Sequence, residues 1–233
     1  MERREFIRVC AGGMGAGLLA PPAGAVALTP KRYPRAKLIR AGGGALKAAQ
    51  LQAQRNYVFF YPYQGTPCFL LNLGKAAPAV PVKSIDGAST YDWPGGAGAA
   101  RAVVAYSAIC SHQLTYPTRD ISFISFRAGK SAVNKFADVI HCCSEHSQYD
   151  PAAGAKVLAG PAPQPLAAVL LEHDAATDEL YAVGTLGSEV FNAFFRKYQI
   201  KLELELGGRA AQPVGSATAV TELDNFCRQQ VRC

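Results

Sequence analysis

Between residues 55 and 184 the chain is a succession of strand-length apolar runs separated by turn-forming residues. The runs are "NYVFFYPY", "CFLLNLG", "RAVVAYSAIC", "DISFISF", "ADVIHCC", "PLAAVLLEH" and "ELYAVG". They are rich in Val, Ile, Phe and Tyr and bounded by Gly, Pro, Asp and Asn. Such segments sit on a pleated, half-buried surface, so the pattern predicts an antiparallel β-sandwich or barrel. Helical periodicity is clear only in "SEVFNAFFRKYQIKL", where Val190, Phe191, Phe194, Phe195 and Tyr198 mark one apolar face and Ser188 is placed to cap the N-terminus. "IKLELEL" after it reads as a strand. The Gly/Pro/Ala/Ser-rich stretch from Gly74 to Ala100 reads as a long loop, and residues 28–54, basic and rich in Gly and Ala, as a linker or short helix. The predicted organisation is a signal-like segment at 1–27, a linker at 28–54, a mainly β domain at 55–184 and a C-terminal extension with a helix at 185–233.

Composition narrows the class. The 233 residues are 49% hydrophobic and 18% charged, with 22 glycines and 15 prolines, which suits a loop-rich globular fold. The net charge is +7, but the basic residues are scattered singly, which argues against a phosphate-tracking surface and against nucleic acid as a partner. The first residues, "MERREFIRVCAGGMGAGLLAPPAGAVALTP", pair Arg3 with Arg4 ahead of a weakly apolar, glycine-rich stretch that ends in Ala25-Val26-Ala27. This resembles a twin-arginine export signal with a small-residue cleavage site, and implies a periplasmic protein carried folded, often around a cofactor. Pro21-Pro22 interrupt it, which favours cleavage over retention as an anchor. Beyond Cys10 in that segment lie Cys68, Cys110, Cys142, Cys143, Cys227 and Cys233. Six are too sparse for a disulfide scaffold; Cys227 and Cys233 are close enough in sequence to pair or to stay free.

Two stretches concentrate chemistry. "AICSHQLTYP" places Cys110-x-His112 at the end of one apolar run, and "IHCCSEHSQYD" places Cys143-x-x-His146 at the end of another. Two strand-end loops that converge would gather two thiolates and two imidazoles, donors that suit zinc, iron or copper rather than calcium or magnesium.

C-x-H followed by C-x-x-H resembles the Rieske iron-sulfur proteins, where two cysteines hold one iron and two histidines the other iron of a 2Fe-2S cluster. The likeness continues through "SQYDPAAGAKVLAGPAPQPL", similar to Rieske subunits of cytochrome bc complexes and arsenite-oxidase-type enzymes. It covers Cys110 to Leu166. It implies a β-sandwich or barrel of the Rieske type with two cluster-binding loops, and a 2Fe-2S cluster held by Cys110, His112, Cys143 and His146. Ser147 and Tyr149 are implied as hydrogen-bond donors to cluster sulfur, and Gly160, Pro161 and Pro163 as parts of a third loop over it. The implied activity is one-electron transfer within a periplasmic respiratory or oxidase complex, from quinol or a molybdenum-type subunit to a cytochrome. Departures from the pattern matter. The family's loop-pinning disulfide falls on Thr115 and Glu145, so that staple should be missing. His146 and Tyr149 are one residue closer than usual; counting back from Tyr149 would instead place Cys142 and Glu145 at the ligand positions. The histidine in His146 favours Cys143, and the choice between Cys142 and Cys143 stays open. The same four residues would also satisfy a structural zinc site in an accessory protein with no redox role. His141 and His173 are expected to have no ligand role, and Cys68 to be a small buried hydrophobe.

Overall fold

The computed structural model describes residues 25–233. The expected signal segment therefore lies outside the described residues except at Ala25 to Ala27. The fold is mainly β. Seven strands close a barrel in the order β13-β14-β2-β15-β3-β4-β7: β2 is Lys31–Arg40, β3 Tyr57–Phe60, β4 Pro67–Asn72, β7 Val103–Ser107, β13 Ala168–Asp174, β14 Glu179–Leu186 and β15 Ala217–Glu222. A second sheet runs β12-β11-β10-β9, with β9 at Ile124–Arg127, β10 at Val139–Cys142, β11 at Ser147–Asp150 and β12 at Lys156–Ala159.

The alternation of side chains along β4 and β7 explains how the two sheets share a core. Both strands are buried on both faces. Cys68, Leu70, Val103 and Ala105 join one apolar cluster with Tyr57, Phe59, Leu38 and Leu180. Phe69, Leu71, Val104 and Tyr106 face the other way, into a cluster with Ile124, Phe126, Ile140, Cys142 and Tyr149 from the second sheet. One wall of the barrel is thus the floor on which the second sheet lies, and Cys68 is a fully buried small hydrophobe as its sequence context suggested.

The flanks of the expected domain turn out to be parts of it. Instead of a linker, residues 31–40 form the ten-residue β2, which pairs with β14 antiparallel and with β15 in parallel. Its basic character hid it: Ala36 and Leu38 point inward, while the Arg35 guanidinium lies 3.4 Å over the Tyr181 ring and Lys37 pairs with Glu179 at 2.8 Å outside. The C-terminal segment is likewise not an appendage, since β15 sits between β2 and β3 and closes the barrel. The Gly/Pro-rich stretch expected to be a loop holds a hairpin of β5, Val80–Lys83, and β6, Ser89–Trp93, whose Val82, Tyr91 and Trp93 enter the shared core. β1, Val26–Ala27, runs parallel to β6.

The single helix expected over 188–202 is two. One spans Phe191–Lys197 with Val190, not Ser188, at its N-cap, and the next spans Gln199–Leu206 and ends at Gly207 in the left-handed region. "IKLELEL" is therefore helical: Leu, Lys and Glu are strong helix formers, and an alternating pattern yields where only Leu202 is buried. The helix pair packs Phe191, Phe194 and Leu202 on Ile109, Leu114 and Tyr116, beside the first cysteine loop.

Candidate metal centre

The first loop leaves β7 and turns tightly at Cys110, which is fully buried. The Cys110 amide donates to the Thr115 carbonyl at 2.8 Å, and the Leu114 amide to the Cys110 carbonyl at 2.9 Å. Leu114 takes φ 58°, a left-handed conformation unusual for a side chain of its size. This turn aims the His112 and Gln113 amides at the Cys110 sulfur.

The second loop is the tip of the β10–β11 hairpin, where Cys142 lies opposite Ser147. Strand parity decides between the adjacent cysteines. Ile140 and Cys142 lie on one face and enter the shared core with Tyr149, whereas His141 lies on the other. The Cys142 thiol meets the Cys110 thiol in a hydrogen bond and receives the Ser144 and Glu145 amides. Cys143 is a correction to the sequence reading: its sulfur is bonded to Cys233, 90 residues away, so it offers no thiolate. Of the two cysteines between which the sequence left the choice open, Cys142 is thus the one with a free thiol. Cys227 is free and buried, so the terminal cysteines do not pair with each other.

Around the thiols the site is built for negative charge. The Cys110 thiol is lowered to about 6, first by the hydrogen bond from Cys142 and then, against the cost of burial, by Tyr149 and the two amides. Cys142 is pushed up, first by the hydrogen bond its thiol gives Cys110, then by burial and then by the charge of a thiolate beside it. The pair thus loses its first proton readily and its second only if a cation offsets the repulsion. Tyr149, fully buried, sets its hydroxyl 3.3 Å from the Cys110 sulfur and 3.2 Å from Ser111 Oγ, and accepts from the Ser111 amide at 3.3 Å. Burial first, and then the Cys110 charge, raise its pKa, so it stays protonated and able to donate.

Gly160 brings in the third segment. It has φ 87°, and a Cβ there would stand 2.5 Å from Ser147 Cα and 2.6 Å from the His146 carbonyl oxygen; only glycine allows this approach. Ser111 Oγ donates to the Gln164 carbonyl at 2.6 Å, which ties the segment to the first loop. Within Gly160 to Pro163, Pro161 and Pro163 are exposed and Ala162 is buried; the Pro163 carbonyl accepts from the Ile85 amide at 3.4 Å.

His112 Nδ1 and Ser147 Oγ are buried with no hydrogen-bond partner among the described residues. An orphaned imidazole nitrogen, an orphaned hydroxyl and two thiols cradled by four amides are the donor set that a thiolate-ligated, anionic metal cluster would satisfy, so these residues fit such a group. His146 is not brought to this face. It takes φ 57°, and its ring lies 5.6 Å from that of His141. Donor atoms of His141, His146 and Cys233 lie within 4.8 Å of one another, but the Cys233 sulfur is already bonded to Cys143. Burial, and then the neighbouring His146 and Arg127, lower His141 to about 4.

Sequence reasoning favoured Cys143 while leaving Cys142 open, and it missed Ser111 as the clamp on the third segment and Cys233 as a staple. The tail supplies a staple of its own through Cys143–Cys233. His173 bonds Asp178 at 2.8 Å, far from the centre in sequence and sheet.

No protein-family model matches the chain. Among solved structures the chain is similar to the soluble domain of the Rieske protein II from Sulfolobus acidocaldarius, with 30% identity, over 66% of this chain and 78% of that one, at a TM-score of 0.45.

Proposed function

We propose that the chain is a Rieske-type electron-transfer protein that holds a 2Fe-2S cluster between the Cys110 and Cys142 loops. The observation that carries the reading is the meeting of two buried thiols, each receiving two backbone amides, under the Tyr149 hydroxyl and beside the orphaned His112 Nδ1 and Ser147 Oγ. Cys110 and Cys142 would ligate one iron as thiolates and His112 the other as an imidazole. When bound, such a cluster supplies reversible one-electron transfer.

The chain's own residues set the rest. The amides of His112, Gln113, Ser144 and Glu145 and the hydroxyls of Tyr149 and Ser147 stabilise negative charge at the sulfurs, so each favours the reduced state. The wall of Ile124, Ile140 and Tyr106 excludes water from the thiol side. His112, half-buried in the first loop next to the exposed Gln113, would be the exit for an electron.

Export by the twin-arginine route to the periplasm, and exchange of electrons with a quinol-oxidising or molybdenum-type subunit and a cytochrome, are parts of the same proposal. Arg3-Arg4 and the motif resemblance support them. No helix among the described residues is long and apolar enough to cross a membrane. The test is direct. The purified protein, reduced with dithionite, should carry two irons and two acid-labile sulfides per chain and show a rhombic paramagnetic signal. A colourless protein with one zinc per chain would make this a structural metal site instead.

A further inference from the structure

We propose that Glu145, not a second histidine, supplies the fourth ligand of the centre, giving the outer iron one imidazole and one carboxylate. The assignment rests on the cluster reading above and goes beyond it. The two loops are built alike. Each starts at a buried cysteine whose sulfur receives the amides two and three residues on: His112 and Gln113 for Cys110, Ser144 and Glu145 for Cys142. Each then places the fourth residue in the left-handed region, Leu114 at φ 58° and His146 at φ 57°.

That fourth position turns its side chain away from the sulfur in both loops. Leu114 packs into the cluster of Ile109, Tyr116 and Phe194 beneath the helix pair. His146 directs its ring to His141 and the Cys143–Cys233 disulfide, on the face of β10 opposite Cys142. Gly160 packs close against that peptide, since a Cβ there would stand 2.6 Å from the His146 carbonyl oxygen and 2.5 Å from Ser147 Cα. Between Cys142 and His146, three residues are left. Cys143 is consumed in the disulfide. Ser144 and Glu145 are both exposed at the mouth of the loop, and of the two only the glutamate carries a carboxylate; a serine alcohol is a poor iron ligand. Iron accepts carboxylate oxygen beside imidazole nitrogen readily.

A carboxylate in place of a neutral imidazole adds one negative charge to the outer iron. The oxidised state gains more from it than the reduced state, so the reduction potential falls below that of a two-histidine site.

Hyperfine spectroscopy of the reduced full-length protein, grown with 15N-histidine, counts the imidazole nitrogens on the cluster. One strongly coupled nitrogen is expected in the wild type. Glu145→His should add a second and raise the potential, whereas His146→Ala should leave the nitrogen count, the iron content and the potential unchanged. Should Glu145→His fail to assemble, Glu145→Gln provides the second reading: its potential should rise and its cluster should decay faster in chelator. Two coupled nitrogens in the wild type, one of them lost in His146→Ala, would overturn the assignment while leaving the cluster reading intact. A wild-type protein without two irons and two sulfides would overturn the cluster reading, and the assignment with it.

Discussion

One residue's displacement separates the motif as spelled from the motif as folded. The pair Cys142-Cys143 offers two thiols, and spacing to His146 favours the second. The fold selects the first because β10 alternates: Ile140 must face the shared core, Cys142 follows it two positions on, and His141 and Cys143 face the other way. That signal was present in "VIHCC" as an apolar-polar alternation, but a search for ligand spacing weighs the histidine above the strand period. Tyr149 follows Ser147 as the motif resemblance expects, and its hydroxyl stands 3.3 Å from the Cys110 sulfur. Tyr149→Phe removes the donor to the Cys110 sulfur and leaves the ring's packing in place. The loss should weaken the reduced state by on the order of 1 kcal/mol, and a redox titration should find a lower midpoint than wild type. An unchanged midpoint with an intact cluster would mean that the hydroxyl bonds only Ser111.

Elements show what happens when a familiar support is absent. The loops have Thr115 and Glu145 where a disulfide between them was expected to be missing, and the structure anchors the second loop from outside. β16, Gln229–Gln230, pairs in parallel with β8, Ile121–Ser122, and delivers Cys233 to Cys143. Ser131 Oγ donates to the Cys233 carbonyl at 2.7 Å and the Val231 amide to Ser122 at 2.8 Å, so the tail is held along its length. Pairings across ninety residues leave no trace in local periodicity, and six cysteines allow many connectivities. The Cys143→Ser/Cys233→Ser double variant should unfold in urea with a stability lower by about 2–4 kcal/mol. It should still assemble a cluster, since Cys110 and Cys142 are untouched, but lose iron to a chelator faster. A double variant as stable as wild type would show that the hydrogen bonds of β16 alone anchor the loop.

For the whole molecule, the barrel's closure places its two ends where sequence composition did not. Most strands of residues 55–184 were legible because their apolar residues alternate or run continuously between turn formers, whereas the β5–β6 hairpin was hidden in a stretch rich in Gly, Pro and Ala. β2 and β15 were not legible either, because each keeps just two buried side chains and presents charged or small polar residues outward. Yet β15 is the strand that joins β2 to β3, and without it both edges are open. A chain ending at Gly208 would also lose the buried side chains of Val220, Leu223 and Phe226, each worth about 1.5–3 kcal/mol, a large part of the 5–15 kcal/mol that holds an ordinary domain together. Such a chain should be insoluble or melt without cooperativity. A chain ending at Arg228 keeps β15 and the short helix Leu223–Phe226 and loses only the staple and β16. It should retain a cooperative thermal transition, read by far-ultraviolet circular dichroism, at a lower midpoint than the full chain. If the shorter chain instead folded as well as the longer one, the last residues would be a docking appendage after all, and the barrel would close without them.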